Sequence, residues 1–349
     1  MSKPYPETYN SRSRRYWAFL IILLVVIALL FVSGSLLGYS TDGSLTFIKS
    51  SAFSPGALND IIWNIRIPRL FSALIAGFGL ALAGVVMQSI LRNPLGSPFT
   101  LGISNAAAFG AAFAIVLFHR FMPTSGMAHS LIISGSAFFW AAIACLFILI
   151  VARLKGVTPE NMILTGIIVS ALFAALTSGL QFLADDIQLG TLVFWTFGDL
   201  SKGNWNNLMI QVIIILPTAF YFFWFAHNFN AMDFGDDTAQ SLGVNVSRFR
   251  LVSMLLASLI TAIVVSSFGI IAFVGLVVPH IIRKLIGPNE IYLLPVTALA
   301  GSAFILACDL IARVVISPVI IPVGIITSII GAPVFIYILI RSKGFSQWN

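Results

Sequence analysis

The chain has 349 residues, 59% of them hydrophobic and only 9% charged, with a net charge of +7. Soluble domains carry about 25% charged residues, so this composition excludes a soluble enzyme and points to a protein that lives in a bilayer. Cys145 and Cys308 both fall within apolar runs and neither has a CxxC partner, so neither a disulfide framework nor a zinc site is implied.

A spanning helix needs roughly 20 apolar residues, and ten runs approach or meet that length. In chain order they are Tyr16–Leu37, Leu70–Leu91, Phe99–Phe118, Leu131–Val151, Met162–Leu183, Leu208–Phe225, Leu251–Ile271, Phe273–Ile286, Leu293–Val315 and Ile320–Ile340. The eighth is short and the third is interrupted by small residues. The expected fold is an all-α polytopic membrane protein of about ten transmembrane helices, with both termini cytoplasmic. The expected divisions are a cytoplasmic N-terminal tail (1–15), a membrane domain (16–341) with a cytoplasmic loop at 226–250, and a cytoplasmic C-terminal tail (342–349).

Charge distribution supports that orientation. Placing the N-terminus inside leaves Lys49, Arg66, Arg69, Arg120, Lys202 and Arg313 outside, while the remaining 13 of the 19 basic residues face the cytoplasm. This is the positive-inside bias, and it accounts for the net charge without nucleic-acid binding. Arg12, Arg14 and Arg15 precede a run about as long as a full span, so a retained first helix is expected rather than a cleaved secretory signal.

The chemistry-bearing motifs are few. No lysine follows a glycine anywhere in the chain, so there is no phosphate-binding P-loop. If ATP drives this protein, another chain binds it. Most acids fall in predicted loops, among them Asp233, Asp236, Asp237 and Glu290; Asp309 alone lies within a span, four residues before Arg313. Acid before base at that spacing is a favourable helix pair. A structural pair outweighs a proton relay there, which leaves ion coupling through Asp309 as the alternative mechanism.

Three segments attract attention. Asn93-Pro94-Leu95-Gly96-Ser97-Pro98 separates two apolar runs and cannot continue a helix; irregular backbone at a membrane is tolerated where protein buries it or water reaches it. Gly235-Asp236-Asp237-Thr238-Ala239-Gln240-Ser241-Leu242-Gly243 reads as a short helix, with acids in its first turn and Gly243 closing it. Ser247 is then placed to cap the next helix. Arg66 and Arg69 flank Pro68 on the outer side, against the charge rule. They suit either docking of an acidic partner or snorkelling to lipid phosphate. Trp195 and Trp205 read as aromatic-belt residues, and His280 after Pro279 reads as structural, since no second histidine stands at ligand spacing. Gly77, Gly79, Gly84 and the alanines from Ala106 to Ala112 allow helices to approach closely.

Together these segments resemble the FecCD-type permeases of bacterial ATP-binding-cassette importers for iron-siderophore complexes, haem and cobalamin. The resemblance rests on Arg66-Ile67-Pro68-Arg69, on Asn93 to Pro98 with Leu101 to Asn105, and on Gly235 to Val244. It continues through Gly269 to Arg283, Asp309 to Arg313, and Pro322-Val323-Gly324 to Gly331-Ala332-Pro333. Gly96 and Ala272 depart from the usual small residues there, alanine and glycine respectively.

The resemblance implies a type II importer permease fold in the bacterial cytoplasmic membrane, translocating an iron chelate, a ferric siderophore first, by alternating access. Haem, cobalamin or molybdate are the alternative cargoes. It also implies that Asn93, Pro94 and Leu95 form the translocation gate. Gly235, Asp236, Asp237, Ala239, Leu242, Gly243 and Val244 would couple to the ATPase, and Arg66, Arg69 and Arg313 would dock the binding protein. No metal or cofactor is expected on this chain; ATP and magnesium belong to the partner. The implied partners are a second permease (an identical copy or a paralogue), two cytoplasmic P-loop ATPases, an external substrate-binding protein and membrane lipid.

Overall fold

The computed structural model describes residues 5–39, 45–47, 60–117, 127–316 and 319–341. Lys3, Asp42, Lys49, Arg120, Lys343, the C-terminal tail 342–349 and the first four residues of the N-terminal tail lie outside them. Among the described residues there are thirteen α-helices: α1 Tyr5–Leu36, α2 Ile67–Leu91, α3 Ile103–Leu117, α4 Met127–Lys155, α5 Pro159–Leu183, α6 Asp186–Thr196, α7 Trp205–Trp224, α8 Ala226–Asp233, α9 Asp236–Ser241, α10 Val246–Phe268, α11 Val274–Ile286, α12 Glu290–Val314 and α13 Val323–Arg341. A small hairpin, Leu37–Tyr39 paired antiparallel with Leu45–Phe47, is added to the expected all-α architecture. Seven of the helical segments are long and apolar enough to cross a bilayer, and each of the other three expected spans has a shorter helix in its place.

Capping side chains explain several helix starts. Thr158 accepts from the Asn161 amide and Asp185 forms a reciprocal capping box with Gln188, while Asn204 and Asn289 begin α7 and α12. Each satisfies a donor that the helix itself leaves unpaired. Asn245, and not Ser247, caps α10: the helix starts at Val246, so the Asn245 side chain is the one that reaches the Arg248 amide, at 3.1 Å.

At the N-terminal end of α2, the end expected to face outward, the chain is already helical before Pro68. A π-helical turn, Ile62–Arg66, runs directly into α2. Proline lacks the amide that would bond four residues back and clashes with that carbonyl; a widened turn accommodates both effects. Arg69 therefore stands inside a continuous helix, not at an exposed helix start.

The core is organised around α2, which packs against α12, α10, α11 and α7. Its glycines make this possible. A Cβ on Gly77 would lie 2.2 Å from the Gly301 carbonyl oxygen of α12, and one on Gly84 would lie 2.0 Å from the Gly275 oxygen of α11. Without side chains at these crossings the backbones themselves meet, the close packing that membrane helices favour. By contrast, α1 is mostly exposed and touches the bundle along one edge, through Tyr16 on Tyr292 and Phe31 on Phe71.

The eighth expected span is a half-helix. With 13 residues, α11 is about 20 Å long, too short for a hydrocarbon core of about 30 Å. The preceding Gly269–Phe273 is non-helical and partly buried. Here three irregular segments converge: the Gly324 amide donates to Gly198 oxygen at 3.2 Å, the Asp199 amide donates to Phe268 oxygen at 2.7 Å, and Gly269 lies against the Trp195 carbonyl. Irregular backbone at membrane depth needs such protein partners. Trp195 is buried in this junction and is no belt residue, whereas Trp205 stays partly exposed and donates to Trp63 oxygen at 3.0 Å.

Candidate functional site

The turn between α2 and α3 carries Asn93, Pro94 and Leu95. It begins at Arg92, whose backbone is left-handed (φ 44°), and the Asn93 amide closes the helix by donating to Gln88 oxygen at 3.1 Å. The Asn93 side chain then accepts from the Leu95 amide at 2.8 Å, and the Gly96 amide donates to Asn93 oxygen at 2.9 Å. Ser97 and Thr100 exchange backbone-to-side-chain bonds, and α3 starts at Ile103. The two prolines thus sit in a turn held by its own hydrogen bonds, with Leu95 facing outward. Behind it lies a cavity of about 160 Å³, bordered by Ser97, Ser104, Thr261, Ala272, Phe273 and Leu276. Free space thus adjoins the Ser97, Pro98, Phe99 and Thr100 end of this segment, in an interior that is otherwise closely packed.

The short helix α9 has the expected form. Asp236 and Asp237 occupy its first turn after Gly235 (φ 114°), Gly243 (φ 85°) follows it, and the Val244 amide donates to Ala239 oxygen at 3.0 Å. Ala239 is buried and holds the helix to the bundle, while Asp237, Gln240, Leu242 and Gly243 are exposed. Phe234 and Leu242 stand 78% and 67% exposed at the two ends of this helix. That makes an apolar-flanked ridge that nothing among the described residues covers.

The two acids diverge. Asp237 faces outward, but Asp236 turns inward to a pair of arginines. It accepts from Arg92 Nη2, and from Arg250 Nη2 at 2.9 Å through Oδ1 and 3.1 Å through Oδ2. Arg250 is only 1% exposed, and its other nitrogens donate to Ile90 oxygen at 2.9 Å and Val157 oxygen at 2.7 Å. One side chain thereby joins the end of α2, the α4–α5 turn, α9 and α10.

A second polar cluster lies beside this one. Glu290, fully buried, accepts from Ser89 at 2.7 Å and from Arg283 at 3.0 Å, and its amide donates to Asn230. Nearby Asp233, at the end of α8, has its carboxyl pushed up to about 7, mainly by burial and secondarily by the charge of Glu290; Arg283 and Arg92 oppose the shift.

At the opposite end of α2, Arg69 and Arg313 enclose Asp309. Arg69 approaches Oδ1 at 2.7 Å and Arg313 approaches Oδ2 at 3.1 Å. Arg313 also donates to Gly34 oxygen at 3.0 Å and Arg66 to Ser35 oxygen at 3.1 Å, which ties both to the last turn of α1. Arg69 is 6% exposed, so its guanidinium is spent on Asp309 and not presented outward as a docking group would be. Arg66 and Arg313 are partly exposed. With a cation on each carboxylate oxygen, Asp309 has the geometry of an ion pair that ties α12 to α2.

The sequence reading therefore places the turn and the short helix correctly but misses the groups that connect them. Arg92 and Arg250 counted there only as positive-inside charges, and Asp233 and Glu290 only as loop acids. The basic residue Arg92, directly before Asn93-Pro94 where the helix must end, is the one local signal in the sequence.

Comparison with known proteins fits this arrangement. The FecCD transport family model matches residues 15–341. The chain is 43% identical to a Methanocaldococcus jannaschii protein assigned as an ABC transporter permease, over 96% of this chain and 98% of that one. It is 34% identical to the hemin transport system permease protein HmuU of Yersinia pestis, over 93% and 95%. Among solved structures, one assigned as a metal-chelate type ABC transporter in an inward-facing conformation superposes with a TM-score of 0.81 at 31% identity, covering 92% of this chain and 98% of the other. The chain is thus a multi-pass membrane permease of the FecCD transport family.

Proposed function

We propose that this chain carries an iron chelate, a ferric siderophore first, across the cytoplasmic membrane, with partner ATPases supplying the energy. The observation that carries the ATP-driven part is the uncovered ridge of α9, flanked by Phe234 and Leu242 and linked inward to the α2–α3 turn. A soluble ATPase that seats on this ridge can move the turn without any charge crossing the bilayer, which suits a chain with no P-loop of its own. In this reading Asn93, Pro94 and Leu95 gate the path. Asp237, Leu242 and Gly243 face the ATPase, Gly235 and Val244 frame the helix, and Ala239 anchors it. Arg66 and Arg313 meet acidic groups of an external binding protein, and Arg69 holds the helix behind them. A second copy or a paralogue completes the path.

The iron-chelate class draws on the metal-chelate type structural neighbour. The hemin permease relative favours haem as the second reading.

The test is uptake by cells in which this gene alone is deleted and restored, using radiolabelled ferric siderophores, hemin, cobalamin and molybdate in parallel. Restored siderophore uptake that collapses when ATP is depleted, but not when the ion gradient is dissipated, supports the reading. Restoration of hemin uptake alone selects the second reading, and uptake of cobalamin or molybdate alone overturns the iron-chelate assignment.

A further inference from the structure

We propose that Arg92, Asp236 and Arg250 form a clasp that makes the α2–α3 turn follow the short helix α9, so that Asp236 is a positioning residue for transport and not a contact to the ATPase. This rests on the reading of α9 as the seat of the ATPase.

Three observations support it. First, Arg92 immediately precedes Asn93 and adopts a left-handed backbone. A helix ending this way ordinarily takes glycine, because any Cβ is disfavoured there. An arginine tolerated at such a position indicates that its side chain is needed. That side chain reaches Asp236, 144 residues away in the chain.

Second, Arg250 supplies the fixed point. Burying a guanidinium is costly unless every face of it is bonded, and here its nitrogens are divided among Ile90, Val157 and Asp236. The end of α2, the α4–α5 turn and the start of α10 are held together whether or not α9 moves.

Third, Asp236 is the part that can let go. Its side chain is 36% exposed, against 1% for Arg250, and it belongs to a six-residue helix held largely through Ala239. Displacing α9 therefore either drags Arg92, and with it Asn93 and Pro94, or breaks the clasp. The cavity against Ser97, Pro98, Phe99 and Thr100 leaves space at the far end of the turn.

The experiment uses the whole transporter in proteoliposomes, with transport and ATP hydrolysis measured together and their ratio as the readout. Two variants are compared with the wild type. Arg92→Gly removes the link between the turn and Asp236, leaves Arg250 on Asp236, and suits the left-handed backbone. Asp236→Asn keeps the shape and removes the charge. The expected result is ATP hydrolysis that continues while transport per ATP falls at least tenfold in both. A merely structural staple would lower the amount of assembled complex without altering that ratio. Wild-type ratios in Arg92→Gly overturn the clasp even if Asp236→Asn fails to assemble. If the wild-type complex shows no ATP-dependent transport, the reading of α9 fails and the clasp falls with it.

Discussion

Each end of α2 carries one aspartate between two arginines, and the two clusters differ in what surrounds them. At the outer end Asp309 is fully buried, with Arg69 and Arg313 at 8% and 12% side-chain exposure. At the inner end Asp236 lies on a surface helix and stays 36% exposed. The charges are alike; the dielectric is not. Removing one partner of a buried pair leaves an uncompensated charge, at a cost of about 3–5 kcal/mol. At the inner end the Arg92–Asp236 pair is open to water, and such a pair contributes about 1 kcal/mol or less. The outer cluster is thus a pin, which binds α1, α2 and α12 together, and the inner one is a joint that can open within the energy a partner supplies.

The largest expected effect breaks the pin. Asp309→Ala strands Arg69 in a buried site and should destabilise the protein by about 3–5 kcal/mol, read as lost yield and a lowered Tm in detergent. Arg92→Gly, which leaves Asp236 paired with the buried Arg250, should shift Tm much less. Equal losses at both ends would show that burial does not separate the two clusters.

A smaller effect is expected at the rim of the pin. Arg66→Glu should weaken docking of the binding protein about tenfold at low ionic strength, and less in high salt, because partly exposed charges are screened beyond about 10 Å at 0.1 M. The measurement is binding of the external partner to proteoliposomes across a salt series, with Tm as the control. Docking that is unchanged at low salt removes Arg66 from that surface. Reversing Arg69 instead would place a glutamate against Asp309, so that variant reports on the pin and not on docking.

The contrast also explains what could be read from the chain alone. Apolar run length and basic-residue bias are local or summed properties, so the bundle was legible, as were the Asn93–Pro98 turn and the glycine-closed helix after Gly235. Contacts across elements were not. Asp236 and Arg250 are 14 residues apart and Arg69 and Asp309 are 240 apart, distances at which no helical or strand period operates. The short span at Phe273–Ile286 was legible as α11, but the packing that makes it a half-helix was not: composition reports the bilayer, and the backbone break at Gly269–Phe273 is set by the Trp195, Gly198 and Gly324 contacts.

The smallest effect sharpens the description of the joint. Asp233 lies beside it, with Glu290 of α12, Arg283 of α11 and Arg92 at the end of α2 as the charged groups facing it. Its carboxyl is raised from 3.8 to about 7, so near neutrality the folded protein holds a proton that the unfolded chain has released. The stability linked to that proton is fully present below about pH 3.8 and is lost as pH rises through about 7. Between pH 6.5 and 7.5 the loss should be about 0.7 kcal/mol, seen as a declining Tm that Asp233→Asn flattens. A pH-independent Tm in the wild type would mean that Arg283 and Arg92 outweigh burial at Asp233.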